Sequence, residues 1–346
     1  MTGIVSVPWY FYAGFLAFVV TMLLVDLRFF RVDEDGSTAR RSAMWMGAWV
    51  GLAIVFGAIL FVWRGPASAA EYFAGYVIEY SLSVDNMFIF LVIFSTFGIP
   101  VGKQHRVLFL GILGALFFRS VVIGIGAILV HTFRWVIYLF GGLLLYTAYK
   151  IFRKGAKQIN PEDNPVLRLA RRYLPTTTRF DGRKLFTEEH GRHVATPLFV
   201  ALLVIEVTDI VFALDSIPAV FGVTRRPFIV LTSNVFAVLG LRSLYFLLSG
   251  ALRRLHLLHY GLAVVLAFVG AKMLLEIVHV DVPIWLSLAV IVGVLGVTTL
   301  LSLAMQPPEE QPGEERGRPG EQAAGESQGE SQGEGQHETG PSTGVA

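Results

Sequence analysis

The chain has 346 residues, 54% of them hydrophobic and only 16% charged, and its 28 lysines and arginines against 26 acids leave a formal net charge of +2. Soluble domains of this length are far less apolar, so a water-soluble globule is excluded. The absence of cysteine excludes disulfides, thiolate metal sites and cysteine nucleophiles, and leaves the redox compartment open.

Hydropathy predicts an all-α polytopic membrane protein with nine spans, near residues 7–27, 43–63, 72–97, 106–130, 134–152, 196–222, 227–250, 257–279 and 284–305. The first apolar run is too long for a signal peptide and has no basic n-region or small-residue cleavage site, so it is read as a retained span. One alternating set of connections carries nineteen lysines and arginines, including eleven between Lys150 and Arg192; the opposite set carries four, Arg64, Arg134, Arg225 and Arg226. The positive-inside rule then places the N-terminus outside the plasma membrane and the C-terminus in the cytoplasm. Residues 153–195, with Asn160-Pro161 and Pro165, read as a cytoplasmic linker between two halves of a transmembrane domain covering 1–305. Residues 306–346 hold nine Gly, nine Glu and two Arg, a composition that builds no core and predicts a disordered acidic tail. The histidines fall in loops or at helix ends, and "EEHGRH" at 188–193 reads as a solvated string rather than a metal site.

Within the third span, "IEYSLSVDNMFIF" (78–90) places Glu79, Asp85 and Asn86 among apolar residues; within the sixth, "IEVTDIVFALDSIP" (205–218) places Glu206, Asp209 and Asp215. Aligning the two motifs sets Glu79 on Asp209, Asp85 on Asp215 and Asn86 on Ser216. Further on, Arg119-Ser120 of the fourth span falls on Arg242-Ser243 of the seventh, and "LFGG" of the fifth on "AFVG" of the eighth. Three landmarks in the same order predict two copies of one three-helix unit, about 72–152 and 196–279. Each copy is three spans long, so the second copy is inverted, and such repeats place a substrate site near mid-membrane.

With span ends taken from hydropathy, Glu79 pairs in depth with Asp215 and Asp85 with Asp209, in two layers roughly 9 Å apart for six residues at helical rise. Pro218 removes the donor to the Leu214 carbonyl, so a break in the sixth helix beside Asp215 is expected. Five carboxylates at the bilayer centre cost on the order of 15 kcal/mol if unpaired. Arg119 and Arg242 are the expected charge-compensating groups, and a divalent cation would offset most of the rest. Carboxylates, the Asn86 amide and the Ser83 and Thr208 hydroxyls are hard oxygen donors suited to magnesium, calcium or manganese. Met87 is read as packing, with a soft ligand as the alternative. Lys272 and Glu276, four apart, read as a helical ion pair. The competing account of the acids is interhelical hydrogen bonding without transport.

The motifs "E-Y-S-L-S-V-D-N" and "E-V-T-D-I-V-F-A-L-D-S-I-P-A" resemble the TerC family of integral membrane proteins, named for tellurium resistance, over about residues 7–305. The resemblance implies membership of the LysE-type exporter superfamily and manganese efflux. It carries the family's acidic metal residues onto Glu79, Asp85, Glu206, Asp209 and Asp215; Asn86 joins them by position. The expected protein is thus a divalent metal exporter, Mn2+ first among candidates, with the metal as substrate and no resident cofactor. A non-transporting membrane factor in tellurite or metal stress is the alternative. No enzyme is expected, because no His-Glu-x-x-His helix and no nucleophile–base pair occur. The expected partners are the metal ion and the lipid bilayer, with no nucleic acid; oligomeric state is left open.

Overall fold

The computed structural model describes residues 8–29, 38–133, 135–154, 175–177, 179–182, 184–189, 191–248, 257–278, 280 and 282–305. Within helices, the side chains of Asp85 and Asp215 are not among the described parts. The acidic tail expected at 306–346 and the loop stretch 155–174 lie outside the described residues.

Among the described residues nine helical stretches are long and apolar enough to cross a membrane. They are α1 (Trp9–Phe29), α2 (Thr38–Arg64), α3 (Pro66–Thr96), α4 (Val101–Thr132), α5 (Val136–Lys154), α6 (Pro197–Phe221), α7 (Pro227–Leu239) continued by α8 (Leu241–Leu248), α9 (Leu258–Leu275) and α10 (Ile284–Ala304). The nine-span expectation is therefore met, with ends shifted by a few residues.

Three helices start on proline, which lacks only a donor that the first turn leaves unused: Pro66, Pro197 and Pro227. Before Pro66 the chain turns through Gly65 at φ 86°, a left-handed conformation that favours glycine. That start lies six residues earlier than hydropathy suggests, because Ser68 and Glu71 dilute the first turns of α3. Hydropathy registers the apolar run, whereas the Gly-Pro pair marks the helix end.

Burial orders the spans. The seventh has 94% of its window buried and the ninth only 17%, so α7 and α8 form the centre and α10 is turned outward. Such an all-round apolar, all-round buried helix needs neighbours on every side. α7 packs on α2, α3 and α4, while α4 packs on α6 and α5 on α9. The α5–α9 approach is close: a Cβ on Gly141 or Gly270 would touch the other's carbonyl oxygen, at 3.1 and 2.8 Å.

Two expectations change. α6 runs unbroken through Pro218, because that residue sits in its last turn, where a missing donor costs one hydrogen bond and the chain is about to leave the helix. The interruption falls at Gly240, between α7 and α8. The 153–195 linker also carries structure at its end. β1 (Phe186–Glu189) and β2 (Arg192–Ala195) form an antiparallel hairpin, whose Phe186 ring meets Phe199 of α6 at 4.4 Å.

Candidate functional site: a buried arginine between two helices' acids

Arg119, 1% exposed on α4, is the centre of the site. Its Nε donates to Asp209 Oδ2 at 3.0 Å and its Nη2 to Asp209 Oδ1 at 2.8 Å, a bidentate pair. Its Nη1 meets Glu79 Oε1 of α3. Both acids are buried, so one guanidinium ties α3, α4 and α6 together. Two formal negative charges face one positive charge, and Glu79 Oε2 has no hydrogen-bond partner.

The two-layer pairing is thereby corrected: Glu79 and Asp209 share one level. Glu79 lies thirteen residues beyond Pro66, and Asp209 twelve residues before Phe221. Those two helix ends lie on the same side, since Thr224 just past α6 donates to Glu71 Oε2 at 2.6 Å. The earlier start of α3 moves Glu79 to the depth of Asp209.

Glu206 stands one turn before Asp209 on α6. Its carboxylate lies against α4, where a Cβ on Gly114 would fall on both of its oxygens; its Oε2 is buried without a hydrogen-bond partner. A methyl at 114 would make that carboxylate turn aside. Asn86 and Met87 are buried on α3. Ser83 Oγ and Ser216 Oγ are buried without partners, whereas the Thr208 hydroxyl is occupied by the Val204 carbonyl at 2.6 Å. Among the described residues no three acidic or imidazole side chains converge on a point that would hold a metal ion.

Arg242 is a second buried arginine. At the start of α8 it is 3% exposed, and its Nη2 reaches Asp26 Oδ2 of α1 at 2.9 Å and the Asp26 carbonyl at 3.0 Å. With Glu79 and Asp209, Asp26 is a third acid buried among the described residues, and one that hydropathy passes over. It closes the otherwise apolar run of the first span.

Toward the Pro66 end of α3 lies a cavity of about 980 Å³ with charged walls. Arg226 pairs with Glu71 at 3.7 Å and also meets Ser68, and Arg225 pairs with Glu276. Lys272 donates to Ser287 at 3.0 Å rather than pairing with Glu276. α9 ends at Leu275 and Glu276 opens a 3-10 turn, so the four-residue helical spacing is not kept. At the opposite end Gln104 donates to the Ile99 carbonyl at 2.8 Å and accepts from Tyr245 at 3.1 Å, with Phe94 edge-on to Tyr245. In the hairpin string, Glu189 accepts from Thr177 at 2.8 Å, and Glu188 and His193 approach to 3.5 Å with both exposed.

A family model described as "Integral membrane protein TerC family" matches residues 64–310, the stretch that supplies every contact of Arg119. The chain belongs to the TerC family. It is 50% identical over 292 residues to "Uncharacterized membrane protein STKORF319" of Myxococcus xanthus, covering 84% of this chain and 91% of that one. It is 41% identical over 302 residues to the Escherichia coli (strain K12) protein named "Putative membrane-bound redox modulator Alx", covering 84% and 93%. It is 43% identical over 270 residues to "Thylakoid membrane protein TERC, chloroplastic" of Arabidopsis thaliana, covering 78% and 70%. No solved structure matches. Asp26 lies before the stretch that the TerC model matches, whereas Arg242 lies within it.

Proposed function

We propose that this TerC protein is a divalent metal cation exporter, Mn2+ first among its substrates, working by alternating access through the acids around Arg119. The observation that carries the reading is the buried cluster itself. Glu79 and Asp209 come from two helices and meet at one depth, with more carboxylate than cation and with unpartnered oxygens beside it. Intramembrane acids of this kind mark ion pathways, and oxygen donors without thiolate or imidazole suit Mn2+ and Mg2+ better than copper or zinc. Asp85, Asn86 and Asp215 extend the same donor set along α3 and α6.

Several observations support the rest of the reading. α3 packs on α7 as α6 packs on α4, and α5 packs on α9, which is the exchange an inverted repeat of α3–α5 and α6–α9 would produce. The interruption at Gly240 gives the central span the discontinuity that transporters use. The charged cavity at one end and the Gln104–Tyr245–Phe94 packing at the other support the reading of a carrier open to one side. The distribution of basic loops supports reading that side as the outside of the plasma membrane, with the C-terminus in the cytoplasm.

The names of relatives offer a redox role as a second reading. A chain without cysteine has no thiol with which to perform it directly, so a redox phenotype would follow from metal levels. The test is Mn2+ flux in proteoliposomes holding the purified full chain. Saturable flux that falls at least about tenfold in Asp209→Asn is expected, the cost of one mispaired charge in the membrane; a correctly folded protein that moves no Mn2+ in either direction would end the exporter reading.

A further inference from the structure

We infer that Arg119 is a tethered stand-in for the transported cation: it neutralises Glu79 and Asp209 while no metal is bound, and hands them over by turning to Glu206. The inference rests on the exporter reading and concerns how that carrier returns empty.

The geometry supplies both ends of the movement. The guanidinium now holds Asp209 with two hydrogen bonds and touches Glu79, the two acids a metal would need. A divalent ion placed between them would sit within a few ångströms of a like charge in a low-dielectric interior, where the repulsion is large. Metal and guanidinium therefore compete for the same oxygens.

The released guanidinium needs a new acceptor. Glu206 offers a buried Oε2 without a hydrogen-bond partner, resting on Gly114 of α4. Gly114 lies five residues before Arg119 on the same helix. Glu206 stands one turn before Asp209 on α6, so a guanidinium that leaves Asp209 meets that carboxylate next along the same helix face. Gly114 then has a positioning role, because a side chain there would push the waiting carboxylate off α4.

The consequence is a difference between two transport modes. An exchange cycle, metal in against metal out, moves only the loaded carrier. Net transport requires the empty carrier to reorient, and without Arg119 that step carries two bare carboxylates through the membrane. In proteoliposomes of the full chain, wild type should show both Mn2+/Mn2+ exchange and net Mn2+ flux. Arg119→Gln should keep exchange within about threefold but lose net flux by about tenfold or more, following the cost of an unpaired intramembrane charge. Arg119→Lys, which keeps the charge, should retain both modes.

A second measurement does not depend on flux. Mn2+ should raise the melting temperature of Arg119→Gln in detergent more than that of wild type, since the ion replaces a missing counter-charge. Equal loss of exchange and net flux in folded Arg119→Gln, or a smaller Mn2+ shift than in wild type, overturns the inference. So does an Arg119→Lys protein that exchanges but makes no net flux. Absence of exchange and of any Mn2+ shift in wild type itself instead removes the exporter reading.

Discussion

Arg119 and Arg242 occupy corresponding places in the two sequence repeats, each followed by serine, yet they serve different surroundings. Arg119 is bound by two acids from the repeat helices α3 and α6. Among the described contacts, Arg242 meets the side chain and carbonyl of Asp26, on a helix outside the repeats. The comparison teaches that symmetry in sequence fixes where a charge enters the membrane, while a neighbouring helix can add a partner that the repeat does not contain. The first pair joins the moving parts of the proposed carrier. The second fastens α1, which otherwise meets the bundle through ring contacts such as Phe11–Trp63 at 4.7 Å and Tyr12–Phe228 at 5.3 Å.

The largest expected difference is in transport. A buried ion pair replaced as a whole by apolar groups of similar volume often leaves stability unchanged or raised by about 1–4 kcal/mol. Glu79→Met with Asp209→Leu and Arg119→Met should therefore fold and carry no Mn2+. Asp26→Leu with Arg242→Met should fold and transport within about threefold of wild type, if the pair only fastens α1. Melting curves and proteoliposome flux on both variants decide the matter. Loss of flux in the second, with melting intact, would place Asp26 and Arg242 in the carrier's cycle and break the comparison.

Single substitutions sharpen it through stability. Asp26→Leu alone takes from Arg242 the carboxylate at 2.9 Å and should cost about 3–5 kcal/mol, seen as a lower melting temperature whether or not metal is added. Asp209→Leu leaves Arg119 with Glu79, so the loss should be smaller. Mn2+ protection should also disappear there, because one of the two ligands is gone. If Mn2+ still protects Asp209→Leu as it protects wild type, the metal binds elsewhere.

The parts of this arrangement legible in the sequence were those written in local pattern. The apolar runs gave nine spans, and the matched six-residue steps singled out Glu79 and Asp209, which Arg119 then brings together. What sequence could not supply was the partner of each charge. Hydropathy averaged over Ser68 and Glu71 placed the start of α3 too late and turned one level into two layers. Asp26 was passed over because a single acid at the end of a span looks like its boundary. Pro218 drew attention to α6 as the broken helix, although a proline in a last turn bends nothing; the interruption at Gly240 follows no residue pattern that periodicity reports. Gly114 is silent in sequence, since its meaning comes from a carboxylate on another helix.

Gly114 gives a smaller and more local test. Alanine there places a methyl on the Glu206 carboxylate and should cost about 1–3 kcal/mol by overpacking. Gly124→Ala, ten residues on in the same helix with nothing within 4 Å of its Cβ, should be neutral or stabilise by about 0.5–1 kcal/mol. If Glu206 is the arginine's second partner, Gly114→Ala should also lower Mn2+ affinity, and Glu206→Ala in the same chain should restore stability without restoring net flux. A Gly114→Ala protein with wild-type melting and transport would show that the carboxylate has room to move and no role in that position.

The smallest expected effect comes from a charge pair on the water side, where burial is absent. Asp181, ahead of β1, accepts from Lys184 Nζ at 2.9 Å and from Thr187 Oγ1 at 2.9 Å. The Lys184 bond first and the Thr187 bond second hold its carboxyl below the usual range. A carboxyl depressed in the folded state contributes above its unfolded pKa, near 3.9, and the contribution is lost as pH falls through the lower folded value. The hairpin should thus be indifferent between pH 7 and 5 and loosen only below about pH 4, read as faster amide exchange over residues 184–189. Asp181→Asn should abolish that pH dependence. Salt separates the two environments: at 1 M the Debye length is about 3 Å, so the exposed pair should weaken while Arg119–Asp209 and Arg242–Asp26 do not. A hairpin unmoved by salt, beside membrane pairs that soften in it, would mean that water reaches both buried arginines and that the difference between the two surroundings is smaller than their burial indicates.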